Sequence, residues 1–169
     1  VTRDWTRLLR HRWLDAADAR RAIGDAAIER LESRIRASEA RHGGEIRVCV
    51  EAGLPLSYLW RDATPRERAL TLFGKLGVWD TEANNGVLIY LLLGDRAIEI
   101  VADRGVESRV EPGHWQRVVS QMGAAFRDGR FEDGLARAID AVHAVLIEHY
   151  AHAEGERNVN ELPDTVVLR

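Results

Sequence analysis

Cysteine is nearly absent from the sequence. Cys49 stands alone among 169 residues, which excludes an internal disulfide and any zinc site built from several thiolates. It lies inside an expected strand, where packing is its reading. Long apolar runs are also missing: the run Val87–Leu93 is seven residues, far short of a membrane span. No serine sits in a Gly-x-Ser-x-Gly turn, Cys49 has no histidine partner close by in sequence, and no glycine-rich loop ends in Lys-Ser/Thr. Nucleophilic and P-loop chemistry therefore find little support. A formal net charge of −3 gives no general drive toward nucleic acid, so no nucleic-acid partner is expected and any basic region must be local. Near Val1 nothing resembles an apolar signal segment before small residues, and the expected location is the cytoplasmic side, with peripheral contact at the inner membrane as a further option.

What is present centres on Trp79–Glu107. Val87–Leu93 reads as a strand buried on both faces, and Ala97–Ala102 alternates in the manner of a second strand. Gly94-Asp95 between them suggests a two-residue type II′ hairpin turn. If Leu93 pairs with Arg96, then Val87 pairs with Ala102 and Gly86 with Asp103. Asn84, Asn85, Asp103, Gly105 and Glu107 then gather at the open end. Asp95 and Arg96 sit at the turn, roughly 20 to 25 Å away at about 3.3 Å per residue.

Around this hairpin the chain offers helices. Asp4–Leu14 places Trp5, Leu8, Leu9 and Trp13 on one face with Arg3, Arg7, Arg10, His11 and Arg12 around them. Such a segment can pack on the domain, bind a partner, or lie on an anionic membrane surface through residues 3–14. Gly24 precedes a longer helix with Asp25 as its expected N-cap and Ile28, Leu31 and Ile35 as its buried stripe. Glu45–Glu51 reads as a half-exposed strand flanking the spine. Thr64-Pro65-Arg66-Glu67 combines an N-cap, a proline at the first helical position and a capping-box glutamate. Further helices are expected after Pro112, ending at Gly129, and from about Phe131 to Ala153. The strand–helix–strand run from Glu45 to Leu93 implies a right-handed crossover. The fold expectation is a single α/β domain with a small mixed sheet sandwiched between helices. Residues 1–24 form an N-terminal helical segment, 25–153 the domain, and 154–169 an extended tail.

Oxygen ligands concentrate at the hairpin's open end. Asp80, Glu82, Asn84, Asn85, Asp103 and Glu107 supply carboxylates and amides of the kind that bind Ca²⁺ or Mg²⁺, with Asp80, Asn84, Asp103 and Glu107 as the metal candidates. A metal there could polarise a phosphoryl oxygen and activate water, with Arg104 binding the anion and Asp103 and Glu107 as catalytic candidates. The same residue types also cap helices and start turns. Asp95-Arg96 reads first as a turn with a charged pair. His149-x-x-His152 has helical metal-binding spacing but lies at a charged helix end, where a structural role is the plainer reading.

The order Asn84-Asn85-Gly86, apolar strand, Asp95-Arg96, second strand, Gly105-x-Glu107 and Gly129-Arg130-Phe131-x-x-Gly134 resembles the TPM domain family over about Glu45–Tyr150. Ala40–Arg47, Trp79–Glu82 and Asn160–Asp164 resemble a Gram-negative bacterial branch. The resemblance implies either a binding or accessory module of a membrane complex, with a protein partner, or a divalent-cation-dependent acid phosphatase. Two positions depart from the family pattern. Gly94 stands where its paired aspartates begin, and Val101 and Asp103 occupy positions usually held by glutamate and glycine.

Overall fold

The computed structural model describes residues 5–152 and 159–169. Four strands form one sheet in the order β3-β2-β1-β4, with β1 Glu45–Glu51, β2 Gly86–Leu92, β3 Ala97–Ala102 and β4 Val167–Leu168. β1 runs parallel to both β2 and β4, while β2 and β3 are antiparallel. Val87 pairs with Ala102 and Leu92 with Ala97, the register expected from the sequence.

Side-chain alternation divides the core between the two sheet faces. Ile46, Val48 and Val50 of β1 and Val87, Ile89 and Leu91 of β2 face one helical layer. That layer comprises α2 (Ala16–Ile23), α3 (Asp25–Glu39), α7 (His114–Arg127) and α8 (Phe131–Tyr150). Cys49, Leu88, Tyr90 and Leu92 face the other layer, formed by α4 (Leu56–Trp60) and α5 (Pro65–Lys75). The result is an α/β/α sandwich, as the hydrophobic patterning implied. α5 begins with the expected capping box, Thr64 accepting from the Glu67 N–H and Glu67 from the Thr64 N–H.

Several local expectations change. β1 is not half-exposed but buried between β2 and β4, and its two terminal carboxylates find hydrogen-bond partners inside the fold. Glu51 accepts from Arg68 and Tyr90, and Glu45 accepts from two tail amides. The hairpin turn is not type II′. Arg96, not Gly94, carries the positive φ, at 49°, and its N–H donates to Leu93 O. Gly94 is required for a different reason: a Cβ there would stand 2.5 Å from the ring of His11.

α2 was not expected as a separate helix, although Asp15 and Asp18 form a capping box at its start. α3 is preceded by Gly24 as N-cap, with Asp25 its first helical residue. α1 spans Trp5–His11, shorter than expected, and α8 ends at Tyr150 instead of near Ala153. A short α6, Arg104–Glu107, follows β3 and was not among the expected helices. Residues 3–4 of the N-terminal segment 3–14 lie outside the described residues. No helix among the described residues is long and apolar enough to cross a membrane.

Candidate functional site

At the open end of the hairpin the oxygen-rich residues separate into buried and exposed sets. Asn85 and Asp103 are buried, whereas Asp80, Glu82, Asn84, Arg104 and Glu107 are exposed. Asp103 is the N-cap of α6, accepting from the Arg104 N–H at 2.7 Å. Its own N–H donates to Gly86 O, so the backbone ladder of the hairpin delivers the carboxylate directly to the helix start. Glu107 accepts from Trp115 Nε1 at 3.0 Å, tying α6 to α7. Asn85 donates to Gly43 O at 2.7 Å. Asn84 adopts φ 51°, and Gly105 lies so close to it that a Cβ would stand 2.4 Å from Asn84 O and 3.0 Å from the Tyr150 hydroxyl.

Two oxygens here have no hydrogen-bond partner, Asp103 Oδ2 and Asn85 Oδ1, both buried. Burial, with a contribution from the Asp103 charge, pushes the Tyr150 hydroxyl pKa up. Asp103 and Asn85 are hard oxygen donors of the type a divalent cation takes. The described residues contain no group of three or more His, Cys, Asp or Glu side chains arranged to hold a metal ion.

The turn end of the hairpin is built differently. Asp95 accepts from His11 Nε2 at 2.8 Å and from Arg7 Nε and Nη2, the latter at 2.8 Å. Arg7 also reaches Asp62 and Ala63 O, and His11 Nδ1 accepts from the Leu54 N–H at 3.0 Å. Burial opposes ionisation of Asp95, but the bonds from His11 and Arg7 outweigh it and hold its carboxyl at about 2. These contacts fasten α1 across the carboxyl ends of β1 and β2.

Beside α1 lies a cleft of about 790 Å³. Leu14, Leu93 and Phe131 give it apolar walls, and Arg10, Arg21 and Arg96 bring guanidinium groups to it. Arg21 is paired with Asp18. Arg10 donates to Gly94 O and Arg96 to Arg127 O, so both retain unused N–H groups that an anion can take. This is where open α/β sheets usually bind ligands, at the carboxyl ends of parallel strands. The sequence reading singled out Asp95 and Arg96 at this end but missed Arg21 and Phe131. The Asp15–Asp18 capping box was the available signal for α2, which carries Arg21.

The structure therefore brings Asn84, Asn85, Asp103, Arg104 and Glu107 to one end of the hairpin and Asp95 and Arg96 to the other. A model of the TPM domain matches residues 17–145. The chain belongs to the TPM domain family. Two solved structures resemble this TPM domain. The NMR structure of the BA42 protein from the psychrophilic bacterium Bizionia argentinensis is 26% identical with a TM-score of 0.72, covering 85% of this chain and 93% of that one. The N-terminal domain of a protein from P. gingivalis is 27% identical with a TM-score of 0.63, covering 81% of this chain and 90% of that one. No curated protein matches the chain significantly. The TPM match omits α1 and the segment 159–169, both of which pack on the domain here.

Proposed function

We propose that this TPM domain is a binding or accessory module acting near the bacterial inner membrane, with the outer face of α1 as its contact surface. One observation carries the reading: α1 is clamped by Arg7 and His11 while Trp5, Leu9 and Trp13 remain 63, 64 and 76% exposed. Trp5 and Leu9 lie four residues apart on one face of α1, and Trp13 is exposed in the turn that follows it. Arg10 and Arg12 are exposed beside them, and Arg12 lies over the Trp13 ring at 5.0 Å. Exposed tryptophans flanked by arginines suit the headgroup region of an anionic bilayer.

The test is flotation of the full chain with vesicles of anionic or zwitterionic phospholipid at low and high salt. Binding should require anionic lipid, weaken with salt and disappear in Trp5→Ser/Trp13→Ser. If the chain ignores both vesicles, the membrane placement is wrong and a protein partner for this face becomes the remaining form of the reading.

A second reading, a weak cation-dependent acid phosphatase at the open end, is favoured by the two partnerless oxygens of Asp103 and Asn85. Ca²⁺ and Mg²⁺ titration followed by amide NMR, with a phosphate-ester assay on the same sample, tests it. Asp103→Asn is the informative variant because it keeps an N-cap for α6 while removing the charge. Unchanged turnover in that variant, or no shifts on titration, removes this reading.

A further inference from the structure

The cleft of about 790 Å³ beside α1 takes no part in either reading above. Its floor is the chain that leaves the two central parallel strands, Ala52 after β1 and Leu93–Arg96 after β2. The main chain of that floor bonds to itself: the Gly94 N–H donates to Ala52 O and the Arg96 N–H to Leu93 O, both at 3.0 Å. Leu14, Leu93 and Phe131 pack on the core with one side and stay only partly covered where they line the cleft. The interior of the cleft is therefore largely carbon.

Polar character is confined to the charged groups around it. Arg10, Arg21 and Arg96 stand against Asp18 and Asp95, an excess of one positive charge among the lining side chains. Both carboxylates are engaged, Asp18 by Arg21 and the Asp15 N–H, Asp95 by Arg7 and His11. Arg10 and Arg96 meet only main-chain oxygens, Gly94 O at 3.2 Å and Arg127 O respectively. Among the described residues no carboxylate answers the charge of these two guanidiniums.

We propose that the cleft binds a small amphipathic monocarboxylate, an acid whose body is a medium-length alkyl chain or a single aryl ring. Its volume lies in the usual range of small-molecule sites, and such sites are mostly apolar with a few placed polar groups. A guanidinium offers a carboxylate two parallel N–H groups. One excess positive charge matches one negative charge, whereas a phosphate monoester, close to a dianion at neutral pH, would meet Asp18 and Asp95 with a charge left over. Leu14, Leu93 and Phe131 take the apolar body out of water. Arg10 and Leu14 precede the TPM match at 17–145, so the site depends on the Arg7 and His11 clamp that holds α1 against Asp95. It is separate from the outer face of α1, since Trp5, Leu9 and Trp13 do not line it.

The test is amide NMR of the full chain titrated with octanoate and, in parallel, with octanol and octyl phosphate, all below their micellar concentrations. Octanoate should give saturable shifts at Ala52, Leu93–Arg96 and Phe131. It should bind about tenfold or more tighter than octanol, the margin that a hydrogen bond to a charged group supplies, and tighter than octyl phosphate. Two variants at exposed positions separate binding from folding. Arg96→Asn removes a guanidinium and keeps a residue that tolerates φ 49°, and Ala22→Phe fills the cleft. Each should weaken octanoate about tenfold or more, with amide shifts away from the cleft as in the unmodified chain. Absence of saturable shifts at the cleft, octanol binding as tightly as octanoate, or both variants binding octanoate like the unmodified chain would overturn the proposal. Shifts gathered at Trp5, Leu9 and Trp13 instead would mark adsorption to the outer face of α1 and overturn it too. Tighter binding of octyl phosphate would overturn the carboxylate assignment.

Discussion

Arg68 of α5 and Glu51 of β1 form a bidentate ion pair inside the molecule, with Nη2–Oε1 at 2.6 Å, Nε–Oε2 at 2.9 Å and both side chains 3% exposed. The Tyr90 hydroxyl donates to the same carboxylate at 2.7 Å, and burial and the Glu51 charge push its pKa up. Two charges removed from water hold each other only while both are present. Glu51→Ala strands the guanidinium and should destabilise the domain by about 3–5 kcal/mol in urea unfolding. The double replacement Glu51→Leu/Arg68→Met should recover much of that loss, and a double variant no better than the single one would show that the pair itself is not the cause.

Acid should loosen α1 before it unfolds the sheet. Asp95 is held at about 2, below its usual range, so its contribution is complete above about pH 4 and is lost as pH falls toward 2. The contribution is about 1–2 kcal/mol, allowing for partial solvent screening. In urea midpoints measured from pH 5 to pH 2, Asp95→Asn should be less stable at pH 5 and show a shallower acid slope. Parallel curves for the two proteins would rule this out.

Glu39 predicts the opposite slope. Burial raises its carboxyl to about 9, although it accepts from the Ile46 N–H at 2.7 Å. The folded chain then holds a proton that the unfolded chain releases near 4.5, so stability falls as pH rises from about 4.5 to 9. Glu39→Gln keeps an acceptor for Ile46 and carries no titration. It should be more stable than the unmodified chain at pH 8, by about 1–3 kcal/mol, with little difference at pH 4. Calorimetry at the two pH values decides the sign.

Gly105→Ala should be costly although the φ of Gly105 is not positive. The added methyl meets the carbonyl oxygens of Asn84 and Ala83 at 2.4 and 2.8 Å, which are backbone and cannot swing aside. A loss of about 1–3 kcal/mol is expected, with amide shifts centred on residues 83–85 and 103–107. Shifts spread evenly over the sheet would place the strain elsewhere.

Legibility followed the range of the interactions. The Val87–Ala102 register and the α5 capping box depend on neighbours or on a strong repeating pattern, and both were readable. α2 and α4 are short, eight and five residues, and they were not. The turn was misread because Gly94 answers a contact with His11, distant in sequence, and not a local need for positive φ.

The sequence by itself determined the TPM domain, its strand pairing and the two-faced core, because alternation and capping act within a few residues of each other. Only the tertiary structure decided that Glu45 and Glu51 are interior, that Asp103 serves as an N-cap, that Arg7 and His11 turn inward, and that the tail completes the sheet. Each of those depends on a partner far along the chain. A charged side chain is worth burying only where folding has brought its counterpart within hydrogen-bonding distance, and no local pattern carries that information.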